Sequence, residues 1–235
     1  MKYIALPDHQ IRRLSFYLAM EEYVARTVGE DDRFFMWQVR PTVIFGRNQS
    51  IENEVNLDYC RQHGIEVYRR KSGGGCVYAD MSNVMLSYVT KDDNVNLTFN
   101  RFVNMMLLVL RRMGVEAVST THNDIMIGDR KVSGTAFYHM ANASIVHATL
   151  LYDTDMEHMQ NAITPSQQKL QSKGIQSVRQ RVTFLKDYTT MSIDEVKAHI
   201  RATLCQDEIQ LTADDVAAIE KIEEGYLSEI FINHL

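Results

Sequence analysis

The sequence predicts an α+β protein with a mixed, largely antiparallel sheet and flanking helices. Three patterns carry this expectation. The chain has an apolar helical stripe near its N-terminus, a series of short strand patterns between residues 35 and 152, and capped helical patterns in its last 45 residues.

Taken in order, residues 15–28 place Phe16, Ala19, Met20, Tyr23 and Val24 on one helical face. Phe35, Trp37 and Val39 alternate, and Pro41 interrupts the strand before Val43, Ile44 and Phe45, a pattern that reads as a hairpin. Residues 65–70 form a short strand and residues 84–89 another, with Val84, Leu86 and Tyr88 on one face and a Gly-rich stretch between the two. A helix over about 97–113 ends at Gly114, where a residue free of Cβ suits the left-handed turn that closes a helix. Strands follow at 115–119, 124–127 and 144–152, and Gly128-Asp129 folds the second of these back onto Lys131 and Val132. Ser192 with Glu195, and Thr212 with Asp215, have capping-box spacing ahead of helical apolar patterns that end near Tyr226.

The 235 residues suit one large domain or a domain with a small appendage. A net charge of -5 advertises no basic surface for nucleic acid. The most apolar run, residues 105–110, is short and bounded by Arg101, Arg111 and Arg112, so it is a core helix and not a membrane span. The N-terminus lacks the apolar region of a signal peptide, and the expectation is a cytoplasmic protein. Cys60, Cys76 and Cys205 are too few and too scattered for a disulfide framework or a zinc site.

The strongest chemical signal is Arg69-Arg70-Lys71-Ser72-Gly73-Gly74-Gly75-Cys76-Val77-Tyr78. Three glycines let backbone N–H groups converge on an anionic oxygen, and adjacent arginines add charge and forked donors. A flexible turn is the plainer alternative. The stretch is no P-loop, because the Gly-Lys-Ser/Thr ending is absent. A second cluster comprises Asn123 and Asp124, then Arg130-Lys131-Val132-Ser133-Gly134. Lys131 among small residues can aim a compact positive charge at a phosphoryl or carbonyl oxygen, or be a solvated hairpin lysine. Asn123 and Asp124 suit Mg²⁺ through oxygen ligands, or cap a turn. His147 and Thr149 lie on an apolar strand, where a lone histidine is ordinarily a hydrogen-bonded core residue. Cys76 has arginines nearby that favour a thiolate, though a small apolar filler is the plainer reading. Lys173 and Arg179 are either ligand contacts or surface charge.

In this order the segments resemble the lipoate–protein ligase A family, in the wider group that includes biotin ligases and octanoyltransferases. The matching pieces are Phe16 to Tyr23, Gly46-Arg47-Asn48-Gln49, Arg69-Arg70-x-Ser72-Gly73-Gly74-Gly75, Asn123-Asp124, Arg130-Lys131-x-Ser133-Gly134-x-Ala136, His147-x-Thr149-Leu150-Leu151, and Lys173-Gly174-Ile175-x-Ser177-Val178-Arg179. The resemblance implies a biotin/lipoate ligase catalytic domain over residues 1–190, with 191–235 a helical segment of the same domain and no separate accessory domain. It implies ATP and Mg²⁺ as cofactors, lipoate as substrate, and transfer through lipoyl-AMP to a lysine of acceptor domains. Those acceptors are the apo-lipoyl domains of 2-oxoacid dehydrogenase E2 subunits and the glycine cleavage H protein.

By the same resemblance, Arg70, Ser72, Gly73, Gly74, Gly75, Cys76, Val77, Tyr78, Asn123, Asp124, Lys131, Ser133, Gly134, His147 and Thr149 bind ATP or lipoyl-AMP. Gly74, Lys131 and His147 meet lipoate, Asp124 meets the metal, and Lys131 is catalytic. The protein is expected to be a monomer, with a separate accessory protein as a conceivable partner. The competing readings are an ATP-independent octanoyl or lipoyl transferase using Cys76, and a subunit of a split ligase.

Overall fold

The computed structural model describes residues 1–92, 94–120, 124–140, 142–163 and 181–233. Its centre is a mixed eight-stranded sheet. The strands, in chain order, are β1 (Lys2–Ala5), β2 (Arg33–Trp37), β6 (Asn83–Thr90), β7 (Val118–Ser119), β8 (Asp124–Ile127), β9 (Arg130–Met140), β10 (Ala143–Leu151) and β11 (Asp207–Gln210). In space they run β11-β1-β2-β6-β10-β9-β8-β7. Strand β1 pairs parallel with both β2 and β11, and the remaining pairs in this sheet are antiparallel. A second sheet of three strands has β3 (Thr42–Phe45) between β4 (Glu66–Arg69) and β5 (Val77–Ala79).

The central strands β2, β6 and β10 are buried on both faces because helices cover both. Helix α1 (Leu14–Thr27) packs on one face with the C-terminal helix Ala213–Leu227. On the other face lie Val95–Arg112 and Ile193–Leu204. Neighbouring strand residues therefore enter different cores: Phe35, Met85 and Ile145 join the α1 side, whereas Phe34, Leu86 and Val146 join the other. Phe34 is as fully buried as Phe35, so β2 has no solvent face. Each such aromatic contributes on the order of 2–3 kcal/mol of hydrophobic stabilisation.

Several sequence expectations hold and others are corrected. Both capping boxes are present, at Ser192/Glu195 and Thr212/Asp215. Gly114 and Gly128 both adopt positive φ, and the two-residue turn at Gly128-Asp129 pairs Ile127 with Arg130. The hairpin expected across Pro41 does not form. Strand β2 joins the large sheet and β3 the small one, since their partners, β1 and β6 for one and β4 and β5 for the other, come from elsewhere in the chain. The last 45 residues are not wholly helical. Asp207–Gln210 is an edge strand on β1, polar enough that its sequence hides it. The strand expected at 115–119 shortens to Val118–Ser119. Among the described residues, no helix is long and apolar enough to cross a membrane.

Candidate functional site

A cavity of about 340 Å³ lies between the two sheets. Its floor follows from strand register. Trp37 on β2 faces Met85 on β6, Met85 faces Thr149 on β10, Thr149 faces Gly134 on β9, and Gly134 faces Asp124 on β8. All five line the cavity. At roughly 4.8 Å per strand, this transverse row spans about 19 Å, passing from an indole to a carboxylate. The small sheet and the loop joining β4 to β5 supply the opposite wall, with Ile44, Gly74, Gly75, Cys76, Val77 and Tyr78.

The triple-glycine loop is shaped by close backbone approach. Gly74 has φ +92°, and a Cβ on Gly46 would collide with the Gly74 carbonyl. The Arg47 N–H donates to Ser72 O at 3.0 Å, fixing the loop to the end of β3. Arg70, 4% exposed, donates from Nε and Nη2 to Gly73 O, from Nη2 to Gly75 O and from Nη1 to Ile44 O. Burial holds its pKa down to about 10, so it remains cationic at neutral pH. Arg69 donates to the carbonyls of Arg47, Gln49 and Ile232 and stacks over Phe45, and burial lowers its pKa as well. Both arginines thus aim their forks at carbonyls, Arg70 holding the glycine loop and Arg69 the neighbouring turn after β3.

The second cluster lies on β8 and β9. Lys131 Nζ is 2.7 Å from Asp124 Oδ1, and Arg181 Nη2 is 3.3 Å from Asp124 Oδ2. A register shift between Ile125 and Met126, a β-bulge, brings Lys131 and Asp124 to one side of the hairpin. Gly134 makes the geometry possible, because a Cβ there would collide with Lys131 Nζ and Cε. The backbone joins in: Lys131 bridges to Val182, and the Thr183 N–H donates to Lys131 O at 2.9 Å.

Two residues along β10 from Thr149, His147 is held at both ring nitrogens. Its Nδ1 is 3.0 Å from Glu21 Oε2 and its Nε2 is 2.8 Å from Ser72 Oγ. The other Glu21 oxygen accepts from Ser87 Oγ at 2.6 Å, and Ser87 accepts from Trp37 Nε1 at 2.9 Å. Trp37 is fixed further by stacking on Tyr17, with centroids 4.8 Å apart. Beside this chain, Glu22 is also buried; it accepts from Lys71 Nζ at 2.5 Å and from Tyr226 Oη.

Of the residues singled out from sequence, Arg70, Gly74, Gly75, Cys76, Val77, Tyr78, Asp124, Lys131, Gly134, His147 and Thr149 all line the one cavity. Ser72, Gly73 and Ser133 do not line it. Ser72 sits behind His147, and Ser133 is fully buried in the sheet, its hydroxyl without a partner among the described residues. Asn123, Lys173 and Arg179 lie outside the described residues. Reasoning from sequence missed Glu21, Trp37 and Arg181. Glu21 gave no signal of its own, because it lies off the apolar stripe of α1 and its partners, His147 and Ser87, come from distant strands.

Residues 14–205 match the model of the lipoyl protein ligase A/B catalytic domain. The chain is 36% identical over 230 residues to lipoate–protein ligase 1 of Staphylococcus aureus, covering 94% of this chain and 70% of that protein. It is 35% identical over 187 residues to the lipoate–protein ligase LplJ of Bacillus subtilis, covering 78% and 56%. Among solved structures, a Thermoplasma acidophilum lipoate protein ligase, described as bi-partite and solved in work on its E2 lipoyl domain, superposes with a TM-score of 0.85 at 26% identity, covering 99% of this chain and 96% of that one. A lipoate–protein ligase A bound with ATP superposes with a TM-score of 0.82 at 26% identity, covering 98% of each chain. The chain belongs to the lipoyl protein ligase A/B catalytic-domain family.

Proposed function

We propose that this protein is a lipoate–protein ligase that activates lipoate with ATP and transfers the lipoyl group to a lysine of an acceptor lipoyl domain. The transverse row carries the reading. Its apolar end, at Trp37 and Met85, suits a medium-length acyl chain, and its charged end, at Asp124 and Lys131, suits a carboxylate meeting a phosphate. Support comes from the likeness to a ligase bound with ATP and to the archaeal ligase solved with bound lipoic acid.

In the first step a lipoate carboxylate oxygen bonds to the α-phosphorus of ATP. The bond from that phosphorus to the bridging oxygen breaks, and pyrophosphate leaves with the electron pair. In the second, the acceptor lysine's amine bonds to the acyl carbon, AMP departs with the C–O electrons, and the nitrogen loses a proton. Lys131 faces the negative charge that develops on the phosphoryl oxygens and then on the carbonyl oxygen. Arg70 holds the glycine loop open to the nucleotide, and Glu21 orients His147 beside the acyl group.

The fit to Mg²⁺ is different. Asp124 directs both carboxylate oxygens at cations, and the described residues include no cluster of three metal-ligating side chains. In this reading the metal enters with the nucleotide, as Mg·ATP. Residues 193–233 belong to the same catalytic unit in this reading, because they pack into both cores beside the large sheet.

The test combines purified protein, lipoate, Mg·ATP and an apo-lipoyl domain. Lipoate-dependent ATP–pyrophosphate exchange and ATP-dependent acylation of the domain are expected. Acylation that proceeds equally well without ATP, from an acyl group already carried on another protein, would replace this reading with the transferase.

A further inference from the structure

The cavity holds an excess of positive charge at one end. Arg70 is charged but directs its donors at three carbonyls, so the forked groups that the sequence offered to an anion are engaged in shaping the loop. On the opposite wall, Asp124 is a single carboxylate that meets two cations, Lys131 at 2.7 Å and Arg181 at 3.3 Å. Arg181 lines the cavity with its side chain 29% exposed, and its contact to Asp124 is the longer of the two. Its position is built by the backbone, through the bridge of Val182 to Lys131 and the Thr183 N–H bond to Lys131 O. Among the charged residues that line the cavity, Arg70, Lys131 and Arg181 stand against Asp124 and Glu54, and the net positive balance is best matched by an anion.

We propose that Arg181 is a further substrate-binding residue, contacting the phosphate chain of the nucleotide together with Lys131 and using Asp124 as the counter-charge that positions both. A planar guanidinium is suited to this, since it can keep one N–H on Asp124 and turn another toward a phosphoryl oxygen. Lys131, a compact ammonium, takes the reacting centre, and Arg181 takes the neighbouring phosphate oxygens. This assignment rests on the nucleotide-dependent reading above.

The experiment compares wild type with Arg181→Gln and Arg181→Lys in three measurements: Mg·ATP binding by calorimetry, lipoate-dependent pyrophosphate exchange, and lipoate binding without nucleotide. Arg181→Gln is expected to weaken Mg·ATP binding at least tenfold and slow exchange by roughly 100- to 1,000-fold, the range for a lost charge-stabilising contact. Lipoate binding and the melting temperature should stay near wild type, and Arg181→Lys should recover part of the nucleotide affinity. Nucleotide affinity within twofold of wild type in Arg181→Gln overturns the proposal.

A second comparison separates direct contact from indirect positioning. If Arg181→Gln has no further effect on Mg·ATP binding in an Asp124→Asn background, Arg181 acts only through Asp124 and the proposed contact is wrong; a persisting loss supports it. If wild type binds Mg·ATP in an Arg181-dependent way yet shows no exchange, the phosphate contact stands and the ligase reading fails.

Discussion

His147 Nδ1 lies 3.0 Å from Glu21 Oε2, joining a histidine on the cavity wall to a carboxylate buried within α1. Because Glu21 accepts one bond at each oxygen, from His147 and from Ser87, it needs both oxygens as acceptors. Glutamine offers only one. Glu21→Gln should therefore leave a buried donor unmatched, at a cost of about 1–3 kcal/mol. A lower melting temperature and slower acyl transfer are expected, with Mg·ATP binding little changed. Calorimetric melting beside the two half-reactions checks this, and unchanged stability would show that the network rearranges freely.

Gly46→Ala tests the packing of β3 against the glycine loop. Both colliding partners are backbone, so neither can swing away as a flexible side chain would. The loop must move, and pyrophosphate exchange should fall more than tenfold while lipoate-independent stability drops by about 1–3 kcal/mol. Exchange rates and denaturant unfolding read the two effects separately.

Lys131→Ala should impair both half-reactions, by roughly 3–4 kcal/mol or a few hundredfold each, because the same charge serves phosphate and carbonyl oxygens in turn. Lys131→Arg should also fail, since Gly134 leaves room for a slender chain laid across the strand and not for a planar fork. Transfer from supplied lipoyl-AMP at the wild-type rate in the alanine variant would remove Lys131 from the second step.

Cys76→Ser should keep most activity. Cys76 lines the cavity, and in this reading it is a small side chain on the loop wall. A loss on the order of a thousandfold would instead mark a nucleophile and favour the transferase.

Local chemistry was readable in the sequence wherever both partners lie within a few residues. The capping boxes at Ser192/Glu195 and Thr212/Asp215, and the turn at Gly128-Asp129, are of this kind. Features decided by distant partners were not readable. Nothing near Pro41 announces that Trp37 will pair with Met85 while Ile44 pairs with Val77 in another sheet. Glu21 and Glu22 look like the solvent side of a helix until His147, Ser87, Lys71 and Tyr226 arrive from four separate segments. Arg181 reads as surface charge because its meaning depends on Asp124, 57 residues earlier. The triple-glycine loop lines the cavity, and Arg70, offered to an anion by the sequence, directs its fork at the loop's own carbonyls.

The break at Pro41 has a thermodynamic consequence. Within eight residues the chain puts Trp37 on one wall of the cavity and Ile44 on the other, so the space between them is a gap between two separately hydrogen-bonded sheets. An occupant touching both walls would act as mortar between them, supplying contacts that the polypeptide leaves unmade. Resistance to heat should then track occupancy, rising by about 2.7 kcal/mol when free ligand exceeds its dissociation constant a hundredfold. Through that coupling the stability of the small sheet becomes a gauge of how much ligand its surroundings contain.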